Sequence, residues 1–108
     1  MKEYCVYVIR LRKEILTHKK FRDANPGHRP DKPCVYVGST SRTPEERYQR
    51  HIDPASKVGS RWVKQYHIQL HKRLTDKQPK FATREEAEVH EQVLSARLRR
   101  KGYAVWSR

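Results

Sequence analysis

Two short runs stand out from an otherwise polar chain. "YCVYVIRL" (4–11) and "CVYV" (34–37) are continuous in β-branched and aromatic residues and short enough for buried strands. Gly38 and the Ser/Thr residues after it end the second run. The stretch between, "RKEILTHKKFRDANPGHRPDKP", holds three prolines, one glycine and many charges. It reads as a long, mostly exposed loop over about 12–33 that joins two antiparallel neighbours. "TPEERYQRHI" predicts a helix. Thr43 is the N-cap, Pro44 the first helical residue, Glu46 the third, and Asp53-Pro54 the stop.

The next segments are less decided. "SKVGSRWVKQY" is ambiguous and is compatible with a short helix carrying Trp62 and Val63. "HIQLHKRL" is compatible with a third strand, with Ile68 and Leu70 on one face and His67, Gln69 and His71 on the other. "TREEAEVHEQVLSARLRRKG" is a clear helix, with Thr83 as N-cap, Glu86 at the third position and Gly102 as the stop. Acids crowd its first turns and bases its last, which suits the helix dipole. "YAVW" can close the chain as a short strand. The repeated CVYV is too short for a structural repeat.

Length bounds the picture to one domain, 1–108, with a small core. Charge changes it more. Twenty-five Lys and Arg against 12 Asp and Glu give +13, spread along the whole chain. That field attracts polyanions, nucleic acid first, and far exceeds what solubility alone requires. No stretch approaches the ~20 apolar residues of a membrane span. The start, "MKEYCVYVIRLRKE", returns to charge too soon for a signal peptide. A cytoplasmic location is expected, with Cys5 and Cys34 reduced and packed as small hydrophobes in strands.

Several residues fit a bland fold poorly. Tyr7 and Tyr36 hold the same place in the two strands. If the flanking valines face the main core, both phenols lie side by side on the other face. Cross-strand aromatic packing and a pocket lined by two phenols are both compatible with this. Arg47 and His51 share a helix face, a pairing suited to phosphate chemistry or to a plain solvated basic face. Glu91 sits at the edge of a stripe formed with Ala87, Leu94 and Leu98. A carboxylate there needs a salt bridge or a hard cation such as Mg²⁺. No His/Cys spacing matches a structural zinc site.

Together these residues resemble the GIY-YIG family of nucleases. Cys5-Val6-Tyr7 stands for the first name tripeptide and Tyr36-Val37-Gly38 for the second. "GSTSRTPEERYQRH" fits the turn and helix that carry an arginine and a histidine, giving Arg47 and His51. "EEAEVHEQVL" fits the glutamate helix and points to Glu91. The resemblance runs from Tyr4 to about Val105. It departs from the family in three ways. Cys5 replaces a glycine, and the connection between the strands is longer than usual. The asparagine near the domain's end is also missing, the sole asparagine being Asn25. Ser107 or a main-chain group would have to replace that asparagine, or activity would be weakened.

The resemblance implies a small α/β (α+β) domain with a three-stranded, mainly antiparallel sheet flanked by helices. It implies hydrolysis of DNA phosphodiesters dependent on Mg²⁺ or Mn²⁺. Glu91 would hold the metal and Arg47 would stabilise phosphoryl charge. Tyr7, helped by Tyr36 or His51, would take the proton from water. A phenol, with its ordinary pKa near 10, needs a nearby cation for that role. DNA would be held by Lys19, Lys20, Arg22, His28 and Arg29 of the loop and by Arg42, Arg50, Arg61 and Lys64. The rival reading is a non-catalytic basic nucleic-acid-binding module using exposed aromatics such as Trp62 and Tyr66. A third is a nuclease-like subunit of a larger complex. Either a partner protein supplies specificity, or the enzyme is weakly selective, or a homodimer forms to cut both strands.

Overall fold

A computed structural model describes residues 2–56 and 60–107. The first strand, β1 (Tyr4–Leu11), lies antiparallel to β2 (Cys34–Thr40), with Tyr7 opposite Gly38 and Ile9 opposite Tyr36. The last strand, β5 (Ala104–Ser107), joins the far side of β2 in parallel. On the other side of β1 sit two short antiparallel strands, β3 (His67–Leu70) and β4 (Lys80–Phe81).

The chain is thus α+β as expected, but its sheet is five-stranded and mixed where three strands were anticipated. The additional strands are β4 on the edge of β1 and β5 on the far side of β2. "HIQLHKRL" does not stay extended: the His71 ring accepts the Leu74 amide at 3.2 Å and starts a helix, α4 (Lys72–Asp76). The closing strand returns after α5 (Arg84–Arg100), a helical crossover of the kind that parallel pairing requires.

The continuous apolar runs of β1 and β2 follow from burial on both faces. Val6, Val8, Val35 and Val37 pack with Ala87, Leu94 and Leu98 of α5. Tyr7, Ile9, Leu11 and Tyr36 pack on the opposite face with Ile15, Phe21, Val63 and Tyr66. The tyrosine face is therefore a second core layer.

The segment 12–33 corrects the expectation of an exposed loop. It contains a 3₁₀ turn (Lys13–Thr17) and a short helix, α1 (Lys19–Asp23), and it buries Ile15, Phe21 and Asn25. Asn25 acts as a substitute strand for Val105. Its Oδ1 accepts the Val105 amide at 2.7 Å and its Nδ2 donates to the Val105 carbonyl at 3.0 Å. At the far end of α5, Gly102 adopts φ +97°, and the Arg29 stem lies where a Cβ would stand.

Helix α2 (Pro44–Ile52) has the expected capping box: Thr43 Oγ1 accepts the Glu46 amide at 3.1 Å and Glu46 answers to the Thr43 amide at 3.3 Å. The ambiguous stretch yields α3 (Arg61–Tyr66), while its residues 57–59 lie outside the described residues. Cys34 is buried, and that burial pushes its thiol up to about 11. Cys5 is only half-buried. The two thiols face opposite ends of the β1–β2 ladder, Cys5 opposite Thr40 and Cys34 opposite Leu11. At ~3.3 Å per residue they are far beyond the reach of a disulfide.

Candidate active site

Strand register brings the two tyrosines together. Tyr7 and Tyr36 are diagonal neighbours on one face, with ring centroids 6.4 Å apart. Helix α2 lays His51 over both rings, at 5.8 Å and 5.4 Å. His51 is 0% exposed. Its Nε2 lies 2.7 Å from the Tyr7 Oη, and its Nδ1 accepts the Ser60 amide at 3.0 Å.

That second bond decides the proton arrangement. A ring nitrogen that accepts a backbone N–H carries no proton, so the neutral imidazole keeps its proton on Nε2. His51 therefore donates to the Tyr7 oxygen. It can steady a developing phenolate, but it cannot take the phenol's own proton in this arrangement. Burial, then the charges of Arg47 and Lys64, holds His51 down at about 4, so it is neutral at physiological pH.

A pH dependence follows. The unfolded imidazole binds its proton near 6.5 and the folded one only near 4. Between these values the unfolded state holds more protons, so stability is full above pH 6.5 and falls as pH drops toward 4, by about 3 kcal/mol in all. His51→Gln should flatten the melting temperature over that window relative to wild type. Equal slopes in the two proteins would mean that His51 does not govern it.

Burial pushes the Tyr7 phenol above its ordinary value, and Tyr36 adds to this. Arg47 pulls the other way as a hydrogen-bond partner and as a charge, while the Glu91 charge raises it further. The phenol thus stays protonated at neutral pH unless further positive charge arrives.

Glu91 projects from the buried stripe of α5 and is only 2% exposed. The Ser39 hydroxyl donates to its Oε2 at 2.7 Å. Ser39 follows Gly38 in the strand and so points to the α5 face, opposite Val6 on β1. Ser39 was not anticipated from sequence; its alternation with Gly38 was the available signal. Next to it opens a cavity of ≈220 Å³ lined by Tyr4, Ser39, Ser41 and three arginines, Arg42, Arg47 and Arg84. Tyr7, Tyr36 and His51 thus meet on one face of β1–β2, and Arg47 bonds Tyr7 while also lining the cavity; Glu91 lies on the α5 face, where its charge is still felt at Tyr7.

The basic residues divide. Arg42 lines the cavity with Arg47, and Arg50 and Arg61 are exposed on α2 and α3. Lys20 stands over Trp106, 5.6 Å from the ring centre. Lys19 pairs with Asp23 at 2.7 Å, and Arg22 donates to the carbonyls of Leu16 and Thr17. His28 bonds the Lys32 carbonyl, and Arg29 packs at the opposite end of the sheet, against Gly102. The Lys64 ammonium binds the carbonyls of Arg50, His51 and Asp53, which makes it a cap for α2.

The aromatics named as exposed are largely enclosed. Tyr66 is buried, with its Oη 2.7 Å from His18 Nε2, and Trp62 packs 4.6 Å from Trp106. Asn25 is tied to β5, and Ser107 Oγ lies 3.5 Å from Gln92 Nε2. Among the described residues no helix is long and apolar enough to cross a membrane. No protein-family model, curated protein or solved structure matches the chain.

Proposed function

We propose that this chain is a metal-dependent endonuclease of the GIY-YIG type, acting on DNA in the cytoplasm. The observation that carries the reading is Glu91. A carboxylate only 2% exposed is held by Ser39 beside an arginine-lined opening, with the Tyr7–His51 pair close by. A purely structural core has little use for that set.

The residues present fit a hard divalent ion. Among the described residues no three His, Cys, Asp or Glu side chains gather, and Glu91 is the carboxylate that would hold the ion. Mg²⁺ and Mn²⁺ accept such a site, completing their shells with water and phosphate oxygens. Bound there, the ion would supply Lewis-acid charge at the scissile phosphate.

The chain's own groups do the rest. The Arg47 guanidinium stabilises charge building on the phosphoryl oxygens. Tyr7 takes the proton of the attacking water as the phenolate: its own proton would first leave to solvent under the charges of Arg47 and the bound ion, and the His51 Nε2–H steadies the oxygen. Tyr36 packs against both rings and fixes their positions. The wide basic field holds the backbone without reading sequence. A second subunit or a partner protein would supply selectivity.

The test is nicking of supercoiled plasmid. Mg²⁺ or Mn²⁺ should support it and a chelator should stop it. Tyr7→Phe should slow it by about 10²–10⁴-fold while oligonucleotide binding persists. Wild-type nicking by Tyr7→Phe would sink the proton-transfer scheme. Tight binding without cleavage, across metals and DNA forms, would favour the binding-module reading.

A further inference from the structure

Arg84 has no place in the chemistry above, and its position works against its own helix. It is the first residue of α5, after the Thr83 cap. A cation there opposes the helix dipole, which Glu85 and Glu86 beside it satisfy. The helix dipole therefore gives no reason for an arginine at this point.

The cavity gives one. Arg84 lines it together with Arg47 and the Ser39–Arg42 segment, so that three arginines border a common space of ≈220 Å³. No carboxylate is among the described residues that line it. The hydroxyl-bearing side chains of Tyr4 and Ser41 line the same walls. Like charges gathered around one opening repel, and a bound anion relieves them. Guanidinium forks suit phosphate oxygens in particular. Arg47 belongs both to this cavity and to the tyrosine pair, so the anion lies next to the proposed chemistry.

We infer that Arg84, with Arg42, grips the DNA backbone phosphate adjacent to the one that Arg47 contacts. The register of the strand then becomes fixed over two consecutive phosphates. The inference deepens the hydrolase reading and rests on it for the identity of the neighbouring phosphate. Arg84 would be a positioning residue, since it aligns the substrate without touching the reacting atoms.

Binding and cleavage are measured separately. In chelator, fluorescence anisotropy of a labelled oligonucleotide is followed across a salt series. Arg84→Ala should weaken binding about tenfold at moderate salt and lower the salt slope by about one. Arg84→Lys should keep most of that slope. Arg100→Ala removes the same charge from the other end of α5, about 24 Å away along the helix, and should leave the slope near wild type. In Mg²⁺, Arg84→Ala should raise KM with kcat changed by less than about threefold.

An unchanged slope in Arg84→Ala, or an equal loss in Arg100→Ala, overturns the grip. If wild type never cuts but Arg84→Ala alone loses slope, the phosphate grip stands and the hydrolase reading falls. If wild type cuts and Arg84→Ala matches it in both assays, the grip falls alone.

Discussion

Glu91→Gln is expected to lower metal-dependent nicking by at least about 10³-fold, in a protein that still folds and still binds DNA. The scale follows from what the carboxylate is asked to hold. A divalent ion contributes several kcal/mol to charge stabilisation at a phosphate, and about 4 kcal/mol is a factor of 10³ in rate. Glutamine keeps the shape and an oxygen to accept the Ser39 hydroxyl, so it removes the charge while keeping that bond. Alanine would confound the result by leaving a void and a buried hydroxyl without its partner. In chelator the variant should bind an oligonucleotide at least as tightly as wild type, because a negative charge beside the phosphate path is gone.

Nicking, anisotropy and melting temperature together decide the matter. Wild-type nicking would make Glu91 a structural carboxylate. A fall in melting temperature of more than roughly 10 °C would do the same, since 2 kcal/mol shifts a domain of this size by about that much. Lost nicking with retained melting and binding is the result that the proposed role requires.

The parts of this site legible in the sequence are those that local rules control. Thr43-Pro44 and Glu46 set the start of α2, and four-residue spacing then puts Arg47 and His51 on one face. Alternation along β1 and β2 separates the tyrosines from the valines. The spacing of Ala87, Glu91, Leu94 and Leu98 fixes the carboxylate in the buried stripe.

What stayed hidden depends on contacts between distant segments. Nothing near Asn25 announces that it will bond both main-chain groups of Val105. The prolines around it suggested exposure, yet Ile15 and Phe21 anchor the segment over the tyrosine face. Lys64 looked like a phosphate ligand until the end of α2 came within its reach. Ser39 became part of the site only through its tertiary contact with α5. The expectation of three strands failed for a similar reason. β4 is two residues long and exists because β1 offers it an edge.

Gly38→Ala is expected to do the greatest structural damage of any one-carbon change near the site. Its backbone does not need glycine, since Gly102 is the one positive-φ residue among those described. The need is for space. Tyr7 pairs across the ladder with Gly38. An ideal Cβ on Gly38 would fall 2.6 Å from Tyr7 Cζ and 3.1 Å from Tyr36 Cε1. The Tyr7 ring has nowhere to go. It is 1% exposed, and its oxygen is fixed by His51 at 2.7 Å.

An added methyl must either shift the strand or break the Tyr7–His51 bond. Overpacking of this kind costs about 2–3 kcal/mol, or roughly 10–15 °C in melting temperature. Nicking measured well below the melting transition should still fall by at least about 10²-fold, because the phenol would leave the place where its proton is handled. Gly27→Ala is the matched control, with nothing within 4 Å of the new carbon, and should behave as wild type. If Gly38→Ala instead melts and nicks like wild type, Tyr7 can step aside without loss, and its bond to His51 has no part in the reaction. The pairing of a tyrosine on one strand with a glycine on the next is on this account a steric requirement: the second strand surrenders a side chain so that the first can place a phenol against the histidine.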